Sequence, residues 1–182
     1  MAGLDLLPAQ YTWLKDFTAS GPAIMQQALT LFGTKEADGD ADNPVIVGWA
    51  KELGLASYGH DSIPWCGLFM AVVVSRASVG PAPAAPLWAL DWENYGVYAF
   101  PGPFFADVLV FKRPGGGHVG LYVGEDDATF HVLGGNESNQ VEITRISKLR
   151  MVAWRRPKYA TLPANVKKVI LSPEGIISQN EV

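Results

Sequence analysis

Cys66 is the only cysteine in 182 residues, and it stands in Ile63-Pro64-Trp65-Cys66-Gly67-Leu68-Phe69, where a loop runs into an apolar, helix-like segment. It cannot be half of an intrachain disulfide. A thiol is a nucleophile only as thiolate, which the unpaired amides of a helix's first turn and a nearby imidazolium both favour. Further along, Gly115-Gly116-Gly117-His118-Val119-Gly120 places His118 at the first position of a strand-like run, with glycines on both sides leaving it uncrowded. Together these are the marks of a cysteine nucleophile and an imidazole base that takes the thiol proton and returns it to a leaving amine. The amides around Cys66 would hold the oxyanion of a tetrahedral intermediate.

A third residue should orient the imidazole. If His118–Val123 and Thr129–Asn136 pair antiparallel around a loop centred on Asp127, His118 faces Asn136 and His131 faces Val123. His131 then lies five residues along the strand from Asn136, about 16 Å away. Asn136 is therefore the candidate, in Leu133-Gly134-Gly135-Asn136-Glu137, and a register slip would promote Glu137 instead. Each feature has a plainer reading: an inert core cysteine, a satisfied strand histidine, a turn-forming asparagine. Their compatible geometry favours catalysis. His60 and Asp61, close before Cys66, read either as assistants or as helix-start chemistry.

The elements that must position these residues change character along the chain. Tyr11 to Phe32 has apolar residues at helical spacing broken by Ser20-Gly21-Pro22, which predicts two short helices. Thr34 to Asn43 is a polar loop. Asp38, Asp40 and Asp42 alternate there as in a calcium loop, but the glycine and closing acid of that motif are replaced by Asn43 and Trp49, so no metal site is expected. Asn43-Pro44 opens a helix that ends at Gly54, and a buried helix runs from Pro64 to about Ala77. Val79 to Pro103, rich in proline and aromatics, reads as a long irregular wall. Val108–Phe111, His118–Val123, Thr129–Leu133, Val141–Ile146 and Met151–Trp154 predict a five-stranded antiparallel sheet, giving an α+β domain over 1–157. Residues 158–182 read as an extension.

Composition narrows the function classes. A formal net charge of −4 argues against a nucleic-acid binder and gives no attraction to anionic membranes. Met1 to Pro8 lacks a basic n-region and is interrupted by Asp5 and Pro8, so it does not read as a signal peptide, and Leu68 to Val74 is too short to span a bilayer. Synthesis in the cytoplasm, without stable membrane insertion, is the expectation. No cofactor is implied.

Pro64-Trp65-Cys66-Gly67-Leu68-Phe69, Ala106-Asp107-Val108-Leu109-Val110-Phe111, Gly117-His118-Val119-Gly120, Leu133-Gly134-Gly135-Asn136 and Trp154-Arg155-Arg156-Pro157 resemble the papain-like peptidoglycan hydrolases, that is, the CHAP amidohydrolase/peptidases and NlpC-type endopeptidases, phage-encoded members above all. The resemblance covers about residues 34–157. It implies a nucleophile helix packed on an antiparallel sheet, and hydrolysis of amide bonds in cell-wall peptides through an acyl-enzyme. Carried over by residue, Cys66 is the nucleophile, His118 the base and Asn136 the third polar position, which varies in the family between histidine, asparagine and glutamate.

The expected protein is thus an endolysin-like or virion-associated enzyme, monomeric, that reaches the wall through a holin or from the virion. A secreted antibacterial effector held by an immunity protein, and a non-catalytic wall-binding module, are the alternatives. Trp65, Trp88 and Trp92 are the expected substrate contacts, with the groove walled by Trp88 to Tyr98 and by Asn43 to Trp49. Aromatic faces over an extended peptide favour a cut within the stem peptide over the amide joining muramic acid to L-alanine.

Overall fold

Helix-forming sequence comes first and strand-forming sequence second. The computed structural model describes residues 2–175, 177 and 178. Two 3-10 segments, Ala2–Leu6 and Ala9–Asp16, lead into α1 (Phe17–Ser20) and α2 (Ala23–Thr30). α3 (Pro44–Glu52) begins as its punctuation requires: the Asn43 side chain accepts from the Val45 amide at 2.8 Å, and Pro44 takes the first position, where no N–H is needed. α4 (Cys66–Ala77) starts two residues later than expected, so Cys66 is its first residue. Every residue from Cys66 to Val74 is buried, and helix geometry therefore points side chains into the core on all sides.

The sheet is antiparallel with six strands, not the five expected: β1 (Val97–Tyr98), β2 (Val108–Arg113), β3 (Gly116–Glu125), β4 (Thr129–Glu137), β5 (Gln140–Ser147) and β6 (Met151–Arg156), in the order β1-β6-β2-β3-β4-β5. The additional strand is two residues long and lies in the segment read as a wall, where no alternation of side chains could reveal it. It forms only by pairing with Arg155 and Arg156 of β6. α4 packs across β3 and β4. One apolar cluster joins Leu14 and Leu29, the whole of α4, and Val110, Val119, Leu121 and Leu133 of the sheet. Leu109, Phe111, Tyr122, Phe130, Val132 and Ile146 form a second cluster from the alternate strand positions.

Val169, Leu171 and Ser178 are bonded to the sheet. The Glu125 amide donates to Val169 O and the Leu171 amide to Glu125 O, both at 2.9 Å, while Ser178 N donates to Arg145 O at 2.8 Å. Gly124 allows this closeness, since a Cβ there would lie 2.5 Å from Leu171 Cδ1. Among the described residues no helix is long and apolar enough to cross a membrane.

Two motifs distant in sequence meet in one ion pair. Asp107 accepts from Arg156 Nε at 2.8 Å and from Nη2 at 2.6 Å, and also from the Phe104 amide at 2.8 Å. The carboxylate is fully buried, and desolvation pushes its pKa up despite these donors. Asp107→Ala leaves the Arg156 charge buried without its partner and is expected to destabilise the fold by about 3 kcal/mol or more, read as a lower urea midpoint at an unchanged m-value.

Candidate functional site

Trp65, the residue before α4, offers no side-chain cap, so the first-turn amides beginning at Cys66 have no capping acceptor from it. Cys66 itself is 5% exposed. Its neighbour Gly67 is required by close packing: a Cβ would lie 2.3 Å from the Pro86 carbonyl oxygen. Gly117, beside His118, has the same constraint from Leu90, whose Cδ2 would be 2.5 Å from a Cβ there. The chain from Pro86 to Leu90 therefore bridges the two candidate catalytic residues. Trp88, in the middle of that bridge, is 55% exposed.

His118 is completely buried, and its Nε2 lies 2.7 Å from Glu137 Oε1, a carboxylate equally buried. The contact is an ion pair rather than an aligned hydrogen bond, and Nδ1 has no hydrogen-bond partner. Burial alone would push the imidazole pKa down. That is the largest single influence, but the Glu137 carboxylate and the nearby Cys66 thiol together outweigh it, and the ring is raised from 6.5 to about 10. At neutral pH His118 is an imidazolium with a carboxylate at Nε2. Nδ1 remains for the thiol.

The third residue at the ring is thus Glu137, not Asn136, and the reason is a bulge. β3 and β4 do hold the expected register through Gly120↔Gly134, Leu121↔Leu133 and Tyr122↔Val132. Beyond Gly134, however, the β4–β5 ladder shifts by one residue, and Glu137 pairs with Gln140 where continuous pairing would give Asn136 another place. Asn136 takes a left-handed conformation, φ 60°, which asparagine tolerates better than most residues. The extra residue transfers the side of the sheet that Asn136 would have occupied to Glu137. Gly134 and Gly135 confirm the two directions: a Cβ on Gly134 would lie 2.8 Å from both His118 Nε2 and Glu137 Oε1, whereas one on Gly135 would strike Phe69 and Trp65 of the α4 side. A sequence signal for the bulge was available. Ser138-Asn139, both with positive φ, form a two-residue hairpin turn that makes Glu137 the last residue of β4.

Two of the three expected substrate tryptophans are core residues. Trp65 and Trp92 have no exposed surface. Their indole N–H groups donate internally, to Glu36 Oε1 at 2.6 Å and to Pro86 O at 3.0 Å. Sequence alone could not distinguish a wall tryptophan from a buried one. Trp49, at the end of the other expected wall, is buried too.

The remaining polar candidates hold structure. Asp61 is buried and accepts from the Ala37 and Asn43 amides at 3.0 and 2.8 Å, fastening the polar loop, while Asp42 pairs with the exposed His60. Among the described residues no group of three or more His, Cys, Asp or Glu side chains is placed to hold a metal ion. His131 sits opposite Gly124, not Val123, because β3 has its own register shift there. Its Nε2 lies 3.2 Å from Asp126 and its Nδ1 2.7 Å from the Tyr11 hydroxyl. Desolvation lowers its pKa against the opposing pull of the Asp126 carboxylate. It is a structural link, separate from Cys66.

Glu137→Gln removes the charge that keeps His118 protonated, so its titration, followed by ring 15N shifts, should fall from about 10 towards or below 6.5. The sign has a consequence for stability. A raised histidine pKa contributes stability that is complete below 6.5 and disappears as pH rises towards 10, so the difference between wild type and Glu137→Gln should shrink with rising pH over that interval. His131→Ala should lower the thermal midpoint, through loss of two buried hydrogen bonds, while leaving the His118 titration in place.

No protein-family model matches the chain, and no curated protein is similar to it.

Proposed function

We propose that the protein is a cysteine amide hydrolase of papain-like architecture that cuts peptidoglycan peptides, with Cys66 as nucleophile, His118 as acid and base, and Glu137 as the group that holds the imidazolium. The observation that carries this reading is the burial of a cysteine at a helix start together with an imidazole that feels both that thiol and a carboxylate. A base that must carry a proton through an acyl-transfer cycle gains from a partner that stabilises its charged form.

The steps follow from the positions. Cys66 Sγ attacks the amide carbonyl, its proton having passed to His118, and the oxyanion is held by amides of the first turn of α4. His118 gives the proton to the departing amine. Water then attacks the thioester, losing its proton to His118, and thiol and acid are released. Glu137 stays ionised throughout and stabilises the positive ring, as the carboxylate of a serine-protease triad does.

The substrate assignment rests on the resemblance of the Cys66, His118 and Leu133–Asn136 motifs to wall hydrolases. Trp88 supports it, as the exposed aromatic on the chain that touches both Gly67 and Gly117, where it can cover an extended peptide. The expected cut lies within the stem peptide, and access to the wall comes through a holin or from a virion.

Digestion of purified peptidoglycan followed by mass spectrometry tests this. Wild type should release glycan still bearing truncated peptide. Bare glycan with intact stem peptides would instead make it an amidase, and no fragments at all would overturn the wall assignment. Cys66→Ala should reduce release by about 10³-fold or more while remaining folded. Asn136→Gly, which keeps the left-handed backbone, should retain most activity, and Glu137→Ala should lose most of it; the opposite order would restore Asn136 as the third residue.

A further inference from the structure

The side of the sheet that carries His118 continues to β5. Cross-strand partners share a side, and Gly134 pairs with Gly120 on β3 and with Glu142 on β5. Since a Cβ on Gly134 would lie 2.8 Å from His118 Nε2 and Glu137 Oε1, that pair occupies the place a side chain there would take, on the side of the sheet that Glu142 shares. Gln140, opposite Glu137 at the end of the hairpin, donates its amide to Glu142 Oε2 at 2.7 Å and so fixes the carboxyl beside the bulge. Glu137 Oε2, buried, has no hydrogen-bond partner. An unpaired buried carboxylate oxygen is costly, and Glu142, on the neighbouring strand, is close enough for the two carboxylate charges to oppose each other.

We propose that Glu142 is a positioning residue for the His118–Glu137 pair, its carboxyl steadying Glu137 when protonated and its charge, once ionised, strengthening the hold of Glu137 on the imidazolium proton. Burial raises the pKa of Glu142 above the usual 4.5, the hydrogen bonds from Gln140 and Ser138 oppose the shift, and the Glu137 charge adds to it. Ionisation of Glu142 is thus shifted to higher pH than that of a free glutamate. The other charged groups around Glu142 are Arg145 and Glu174, which line with it a cavity of about 340 Å³ at the sheet edge, and Lys35, whose backbone bridges to Gln140. Arg145 is engaged with Asp126 at 2.8 Å and so does not neutralise Glu142 directly.

The kinetic consequence rests on the proposed hydrolase activity, but the titration does not, so the two can fail separately. In wild type the His118 ring 15N shift should show a small second inflection, reporting Glu142, besides the main transition. In Glu142→Gln that inflection should vanish and the main transition should fall by about half a unit or more, as one nearby negative charge is lost. Glu142→Asp should restore both in part. Gln140→Ala, which frees the Glu142 carboxyl without removing it, should weaken the inflection. With peptidoglycan fragments as substrate, kcat should drop about threefold or more with KM unchanged, as expected for a group acting on the base and not on the substrate. An inflection that survives in folded Glu142→Gln, or a His118 transition that does not move, overturns the proposal whatever the activity shows.

Discussion

A positive imidazole with no solvent around it must have an anion against it, and the rest of this site is arranged to meet that demand. His118 and Glu137 are both fully buried and 2.7 Å apart. Either one alone would be a desolvated charge or a neutralised group, since the cost of burying an unpaired ion is several kcal/mol. Together they form a unit whose net charge is close to zero. The pair must also be reached from two strands, so β3 and β4 have to place one residue each at the same point on one side of the sheet.

Regular pairing does not do this with the residues present. An uninterrupted β4 would put Asn136, a neutral amide, opposite His118 and turn Glu137 away. One extra residue between Gly134 and Glu137 reverses the outcome, and the backbone accommodates it at Asn136, whose left-handed conformation and short polar side chain suit a bulge. Gly135 meets the indole of Trp65 and Cβ of Phe69, so the bulge is pressed against α4. The helix that carries Cys66 also supports the bend that presents the Glu137 carboxylate. The positions of Cys66 and Glu137 are therefore coupled through one packing contact.

Glycines mark where backbone or side chains come closest around this unit. Gly67 admits Pro86 beside Cys66, Gly117 admits Leu90 beside His118, and Gly134 leaves space over the ion pair. At each of these a methyl group would displace a neighbour of the site. The second buried network, Tyr11–His131–Asp126–Arg145, does a different task at the far end of the same strands: it ties the N-terminal turns and the residues after 157 to β4 and β5. Two buried histidines in one sheet thus have pKa values shifted in opposite directions, raised by Glu137 and Cys66 against burial in one case and lowered chiefly by burial in the other, despite Asp126.

Local patterning in the sequence determined the element types. The Asn43-Pro44 start of α3, the all-round apolar run of α4, and the short β-rich runs of β2 to β6 between turn residues are consequences of capping, burial and turn chemistry, which act over a few residues. Cys66 and His118 were legible for the same reason: a lone thiol at a helix start and a glycine-flanked imidazole at a strand start are local signals. Tertiary structure decided what depends on distant neighbours. β1 exists only because β6 is beside it, Trp65 and Trp92 are core residues only because other elements close over them, and Glu137 replaces Asn136 only because a single inserted residue reverses the direction of every side chain beyond it. Side-chain period in a strand is two, so an error of one residue at the bulge is enough to exchange an amide for the charge on which the buried imidazolium depends.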